Sequence, residues 1–270
     1  PMGRAPRAGE LFRRPEMAKT LERIAETGGE SFYRGEIAET MVRHAAAEGG
    51  ALTLEDLATH EANWVTPIGQ DYGHITLHEI PPNGQGLAAQ IALAILNRFD
   101  LRALPLDSAE SVHLQVEAMK IAIRIAFDHF ADPEAMTLSP EELLEPGFLD
   151  RAASSISRTQ VAPAPPVSLP TSVDTVYLTA ADQDGCMVSL IQSNYLGFGS
   201  GIVIPGTGIA MQNRGRGFSL TPGHPNQVGS RKRPFHTIIP GFVTEAGQPR
   251  LSFGVMGGHM QHQGHVQMVH

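Results

Sequence analysis

The chain has 270 residues, 41% of them hydrophobic, with 20 basic against 28 acidic side chains and a formal net charge of -8. That size and apolar content can build one large or two small domains around an ordinary core, while the acidic balance argues against a nucleic-acid or anionic-membrane surface. Cys186 is the single cysteine, which excludes an internal disulfide framework and a cysteine-based metal knuckle, and no run approaches the roughly 18 apolar residues of a membrane span. Small molecules or other proteins remain as partners. Both ends read as interior positions: Pro1 does not start a nascent chain, and His270 stops inside a Gly/His/Gln stretch. The expectation is a fragment, for which the lack of a signal peptide carries no information. Cytoplasmic and periplasmic or secreted locations both stay open, as does assembly into a homo-oligomer.

The first 150 residues follow a helical pattern. "PEMAKTLERIAETGG" sets Met17, Leu21, Ile24 and Ala25 on one face and ends at Gly28-Gly29; "ESFYRGEIAETMVRHAAAEGG" repeats the plan and closes at Gly49-Gly50. "TLED" from Thr53 to Asp56 is a capping signature at a helix start. "HITLHEI" alternates as a strand and is stopped by Pro81-Pro82-Asn83-Gly84. An apolar helix is expected from Leu87 to Phe99, and a longer one from Ser108 to Ala131 with Val112, Val116, Met119, Ile123 and Phe127 as its stripe, halted by Asp132-Pro133.

The proline-rich stretch "VAPAPPVSLP" (161–170) has no apolar period and favours an extended path. Beyond it the pattern changes to strands: 175–182 and 186–194 joined at Asp184-Gly185, a glycine-dense "GFGSGIVIPGTGI", then "FHTIIPGFV" and "PRLSFGV". Helices with hairpin-linked strands indicate an α+β layered architecture and not a parallel doubly wound one.

Chemistry is harder to place. "GFGSG" lacks the lysine and the following helix of a phosphate loop, and reads as backbone passing close to something. His259, His262 and His265 recur every third residue, with His236 and His270 nearby, which invites a metal site. Gly257, Gly258 and Gly264 argue against a regular helix there and no carboxylate lies in the stretch, so polar loop histidines are the preferred reading. In "GVMGG", Gly257 and Gly258 can aim successive N–H groups at one oxyanion, but on the residues alone a tight turn is the preferred reading. No G-x-S-x-G elbow supports a Ser/His/Asp triad. Thr175 begins a strand directly after the proline stretch. Most strand threonines are structural, but a cut before Thr175 would give it an α-amino group with a reference pKa of about 7.7 to 8.0, a base beside its own hydroxyl.

"DTVYLTAADQDGCMVSLIQSNYLGFGSGIVIPGTGIAMQNRGRGFSL" resembles the start of the small subunit of the γ-glutamyltranspeptidase (γ-glutamyltransferase) family. "GELFRRPEMAKTLERIAETGGESFYRGEIAETMV", "LTLEDLATHEANWVTPI" and "IPPNGQGLAAQIAL" resemble the back half of its large subunit, and "RPFHTIIPGFV" and "FGVMGGHMQHQGH" its later small-subunit motifs. The resemblance implies a four-layer αββα N-terminal nucleophile hydrolase fold. Residues 1–174 would be the end of the large subunit and 175–270 the start of the small one, together one catalytic domain, with about the first third of a precursor and the end of the small subunit outside residues 1–270.

Further implications concern the site. Self-cleavage between Asp174 and Thr175 would leave Thr175 as nucleophile toward a γ-glutamyl amide such as glutathione, with acyl transfer to water or an amino acid; the two subunits would stay associated. Ser193 stands where the family has a second threonine bonded to the nucleophile, and Gly257 and Gly258 match the glycine pair of the oxyanion hole. Arg214 and Gly217 replace the glutamine and aspartate that hold the glutamyl ammonium. His236 and Thr237 replace paired serines that hold the carboxylate, and Tyr195 replaces an asparagine. An arginine in place of a carboxylate favours an anionic or less polar acyl group, so an acylase acting on a glutaryl-type amide is the alternative substrate reading. A non-catalytic homologue is the alternative of a different class. No cofactor is implied, because nucleophile, base and oxyanion donors are all protein groups.

Overall fold

The computed structural model describes residues 4–105, 107–163 and 174–270, which form two units. The first comprises residues 1–63 and 199–211. Its helices are α1 (Pro15–Glu26), α2 (Glu30–Arg34), α3 (Glu36–Ala47) and α4 (Leu54–Ala58). Thr53 caps α4 reciprocally with Asp56, as "TLED" predicts. Gly35 breaks the second expected helix into α2 and α3, since an added Cβ there would lie 2.9 Å from the backbone of Ser31. A small core gathers Ile37, Met41 and Ile204 with Ile24, Phe32 and Ile209. The expected face of α1 is corrected: Leu21 is 58% exposed and the buried residue is Thr20, whose hydroxyl donates to Thr207 O at 2.9 Å. At Gly201 an added Cβ would meet nothing within 4 Å; that glycine answers to its φ of +76°, not to a close approach.

The second unit comprises residues 64–198 and 212–270. Strands β1 (Ile68–Tyr72) and β2 (Ile75–Glu79) form a hairpin, and β2 also pairs with a later strand, β5 (Gly241–Glu245), beside β6 (Gln248–Phe253); all neighbours in this four-stranded sheet are antiparallel. "FHTII" supplies only an isolated bridge, His236 to Gly84, instead of strand. Helix α5 (Gly86–Leu96) covers the sheet and every one of its residues is buried. An apolar run of this kind has no amphipathic stripe because it has no wet face. Around it lie α6 (Ala109–His129), α8 (Pro146–Ser154) and the C-terminal α9 (Gln261–Val269), with the short α7 (Pro140–Leu143) preceding α8.

On α6 the predicted stripe is buried only in part: Met119 is 6% exposed and Phe127 packs against the core, but the N-terminal half of the stripe faces outward. Val112 and Val116 are 45% and 42% exposed, while Ser111, Leu114, Ala118, Ala122 and Ile125 turn inward against the core. Three small residues on that face let α5 approach closely and carry almost no hydrophobic signal. The expectation of irregular loop histidines is also overturned. Gln261–Val269 is helical, His262 and His265 are buried within it, and Gly264 sits where a Cβ would strike the Val255 side chain at 2.6 Å.

Strands β3 (Asp174–Ala181) and β4 (Met187–Tyr195) make a separate antiparallel ribbon, Thr175 opposite Ser193 and Leu178 opposite Leu190. Asp182 Oδ1 accepts from the N–H groups of Asp184 and Cys186, and Gly185 takes φ +83°, closing the turn. Period-two alternation puts Thr175, Tyr177, Ser189 and Ser193 on one face. There Ser189 donates to Phe253 O at 3.1 Å, Thr179 meets Ser252, and Gly254 leaves room for the Tyr177 ring. The proline-rich stretch from residue 164 onward lies outside the described residues.

Candidate active site

Thr175 Oγ1 donates to Ser193 Oγ at 3.1 Å across the ribbon, and Ser193 Oγ also accepts the N–H of Tyr195 at 2.8 Å. The pairing register shifts between Asp174 and Thr175, so a bulge falls at the bond where self-cleavage is expected. Tyr195 holds φ +81°, an uncommon conformation for a residue with a side chain, at the end of β4.

That conformation sets the Tyr195 ring beneath Arg214, whose guanidinium carbon lies 5.0 Å from the ring centroid. Arg214 opens a short 3-10 turn, Arg214–Gly217. Gly217 allows this turn to sit tightly, since a Cβ there would fall 2.4 Å from Phe235 O. Arg214 Nη1 donates to Thr237 Oγ1 at 3.2 Å, and Nη2 is buried with no partner among the described residues. Burial lowers the pKa of the guanidinium, partly countered by Tyr195, and no carboxylate appears among its perturbers. Among the described residues this cation keeps a spare donor at Nη2 and has no carboxylate partner.

His236, the residue before Thr237, lies within reach of the Arg214 charge. Burial, then the charge of Arg214, brings its pKa down to about 4, and its Nδ1 is buried without a partner among the described residues. His259 is lowered by the same two causes in the same order. Near pH 7 both rings are neutral beside the guanidinium, leaving Arg214 as the fixed charge of this cluster.

Gly257 and Gly258 have φ +141° and +64°. A Cβ on Gly257 would meet only the flexible, exposed Met260 side chain, so it is the backbone conformation that favours glycine there. Among the described residues neither glycine N–H meets a recorded acceptor. Two consecutive N–H groups left open after β6 are the arrangement that can receive a developing negative charge.

Thr175, Ser193, Tyr195, Arg214 and Thr237 are thus joined by successive contacts. Gly258 connects to Thr237 through Gln85, whose amide donates to both main-chain oxygens. Gln85 was missed by sequence reasoning, and its partner His262 was noted only among the histidines read as loop residues. A signal was available: glutamine at the residue before a wholly buried helix is a poor cap and needs some other use. His265 Nδ1 meets Glu79 Oε1 at 2.5 Å with both side chains fully buried, pinning α9 to β2.

Comparison with known proteins identifies the family of the chain. The sequence profile described as Gamma-glutamyltranspeptidase matches residues 1–270. The glutathione hydrolase-like YwrD proenzyme of Bacillus subtilis is 36% identical over 261 residues, covering 97% of this chain and 49% of that protein. The oxamate amidohydrolase proenzyme of Klebsiella pneumoniae is 39% identical over 261 residues, with the same two coverages. The crystal structure of cephalosporin acylase from Bacillus halodurans superposes with a TM-score of 0.92 at 49% identity, over 99% of this chain and 48% of that one. The chain spans about half the length of the relatives it matches. It shares their α+β N-terminal nucleophile hydrolase fold and belongs to the γ-glutamyltranspeptidase family.

Proposed function

We propose that the protein containing this chain is a self-processing amidohydrolase or acyltransferase in which Thr175 is the nucleophile and the acyl group of the substrate carries a carboxylate. In the precursor, Thr175 Oγ1 attacks the carbonyl carbon of Asp174; the peptide nitrogen leaves as the Thr175 amine, and water hydrolyses the resulting ester. The free amine then takes the Oγ1 proton as that oxygen attacks a substrate amide. Gly257 and Gly258 N–H groups hold the oxyanion, the protonated amine passes its proton to the leaving nitrogen, and the acyl ester is released to water or to an amine. Ser193 orients Thr175, and Arg214 with Thr237 receives the acyl carboxylate while Tyr195 and neutral His236 line its site.

The buried, unpartnered Arg214 Nη2 carries this reading. A γ-glutamyl group, the substrate class of the glutathione hydrolases, presents a carboxylate and an ammonium together. Arg214 suits the first and repels the second. The same observation favours a second reading, an acyl group with a carboxylate and no ammonium, such as a glutaryl or oxalyl amide; an oxamate amidohydrolase and a cephalosporin acylase stand among the relatives. The intact polypeptide should split into two chains on denaturing electrophoresis, with Thr175→Ala remaining whole. The processed protein should release p-nitroaniline from γ-glutamyl or glutaryl p-nitroanilide, faster from glutaryl if the ammonium is unwelcome. A wild type that stays unsplit and inert toward both would support a non-catalytic homologue instead.

A further inference from the structure

We infer that Gln85 is a positioning residue for the site, one side-chain amide that sets both the glycine pair and the arm that holds Arg214; the inference rests on the catalytic reading above. Gln85 comes from the "PPNGQG" turn and precedes the first residue of α5, yet it makes no side-chain bond to its own helix. Its Nε2 donates to Thr237 O at 2.6 Å and to Gly258 O at 2.9 Å. Its Oε1 faces His262 Nδ1 at 2.9 Å. Gln85 is 1% exposed and His262 2%, so no water competes for these bonds.

The chemistry allows only one arrangement of protons. Both amide hydrogens are committed to carbonyl oxygens, so His262 must donate from Nδ1. Its ring must therefore hold that proton and stay put. Burial, assisted by His259 and His265, lowers the His262 pKa to about 3, which keeps the ring neutral at ordinary pH. A fixed tautomer locks the Gln85 amide, and the locked amide fixes two peptide planes.

Those planes matter for different reasons. Gly258 has φ +64° and no side chain, so the two hydrogen bonds at its carbonyl, from Gln85 Nε2 and from the Gln261 N–H, are what hold the peptide beyond it. Thr237 carries the hydroxyl that accepts Arg214 Nη1. The surrounding turn holds the same segment: Asn83 Nδ2 donates to Pro234 O at 2.6 Å and Asn83 O accepts His236 N–H at 3.0 Å. Gln261, with its amide nitrogen toward the carbonyls, donates to Val255 O at 3.2 Å and Thr237 O at 2.9 Å. Gln261 reaches the same two carbonyls, Thr237 O with its side chain and Gly258 O with its main-chain N–H, whereas Gln85 ties both with one side-chain amide. Misalignment by a fraction of an ångström at oxyanion donors costs rate more than binding.

The test uses Gln85→Met and Gln85→Glu in the intact polypeptide, with kcat and KM measured on the better anilide from pH 4 to 8. Gln85→Met should lower kcat about ten- to hundredfold with a smaller change in KM. Ionised Gln85→Glu has no donor for either carbonyl and should be slow at pH 7. Protonation restores one donor, so its activity relative to wild type should recover toward low pH, a trend absent from Gln85→Met. A folded Gln85→Met with kcat within twofold of wild type, or a Gln85→Glu pH profile of wild-type shape, overturns the proposal. Failure of both variants to fold where the wild type does would assign the amide to folding and also overturn it. A wild type that neither splits nor turns over defeats the underlying catalytic reading and is recognised before any variant is made.

Discussion

Replacing Arg214 with methionine should separate binding of the acyl group from stability of the fold. The side chain forms one long hydrogen bond to Thr237, at 3.2 Å, worth about 0.5–1.5 kcal/mol. Its cation–π contact with Tyr195, at 5.0 Å, is worth about 0.5–1 kcal/mol. Against these stands the cost of keeping a guanidinium partly out of water with no anion to meet it, reduced because the group keeps some solvent contact. Gains and losses are of the same size, so Arg214→Met should change folding free energy by no more than about 1 kcal/mol. The substrate carboxylate is different. Removing a charge-assisted hydrogen bond of about 1.5–3 kcal/mol should cut kcat/KM for a glutaryl anilide about ten- to hundredfold. An anilide with an uncharged pentanoyl group should change by less than about threefold. Thermal melting and the two kcat/KM ratios decide the matter. Equal loss on both substrates, or a fall in stability well beyond 1 kcal/mol, would show that Arg214 supports the site structurally and does not read the acyl charge.

Two further outcomes follow from burial. Leu114→Ala should cost about 2–5 kcal/mol by opening a void beneath α5, whereas Val112→Ala, at a 45% exposed position, should cost under about 1 kcal/mol; similar melting shifts for the two would contradict the assigned face of α6. His236 and His262, with pKa values lowered to about 4 and about 3, take up protons more readily unfolded than folded. Their contribution is therefore complete above the free-histidine pKa of about 6.5 and lost as pH falls toward 4 and then 3. Melting temperature should decline across that window, and His262→Asn should flatten its lower end; a melting temperature independent of pH between 6.5 and 4 would refute the burial argument.

Much of the fold is visible in the sequence where local chemistry decides it. Thr53 and Asp56 cap a helix, Asp184-Gly185 turns a hairpin, and alternation puts Thr175 and Ser193 on one strand face. The α6 face was read correctly at Met119 and wrongly at Val112 and Val116, because alanines at 118 and 122 are chosen for closeness, a property of two helices together. The histidine-rich end was misread as loop because Gly264 looks like a helix breaker until Val255 is seen against it. β1, with Gly69 and Asp71 inside it, has weak strand character and is held by its partner β2. Gln85 could be seen only with its acceptors, which lie more than 150 residues away in the chain.

The four-stranded sheet has one more consequence. β1 and β2 precede Asp174-Thr175 and β5 and β6 follow it, with Leu77 opposite Val243 across the seam. A cut there leaves two polypeptides that must share the four-stranded sheet, while the β3–β4 ribbon stays with the second. Before the cut, lost pairing can re-form within one molecule at a rate independent of dilution. Afterwards, re-formation requires two molecules to meet, so apparent stability depends on concentration and unfolding in dilute solution becomes effectively one-way. Processing would thus turn a refoldable precursor into a protein that persists through the height of its unfolding barrier.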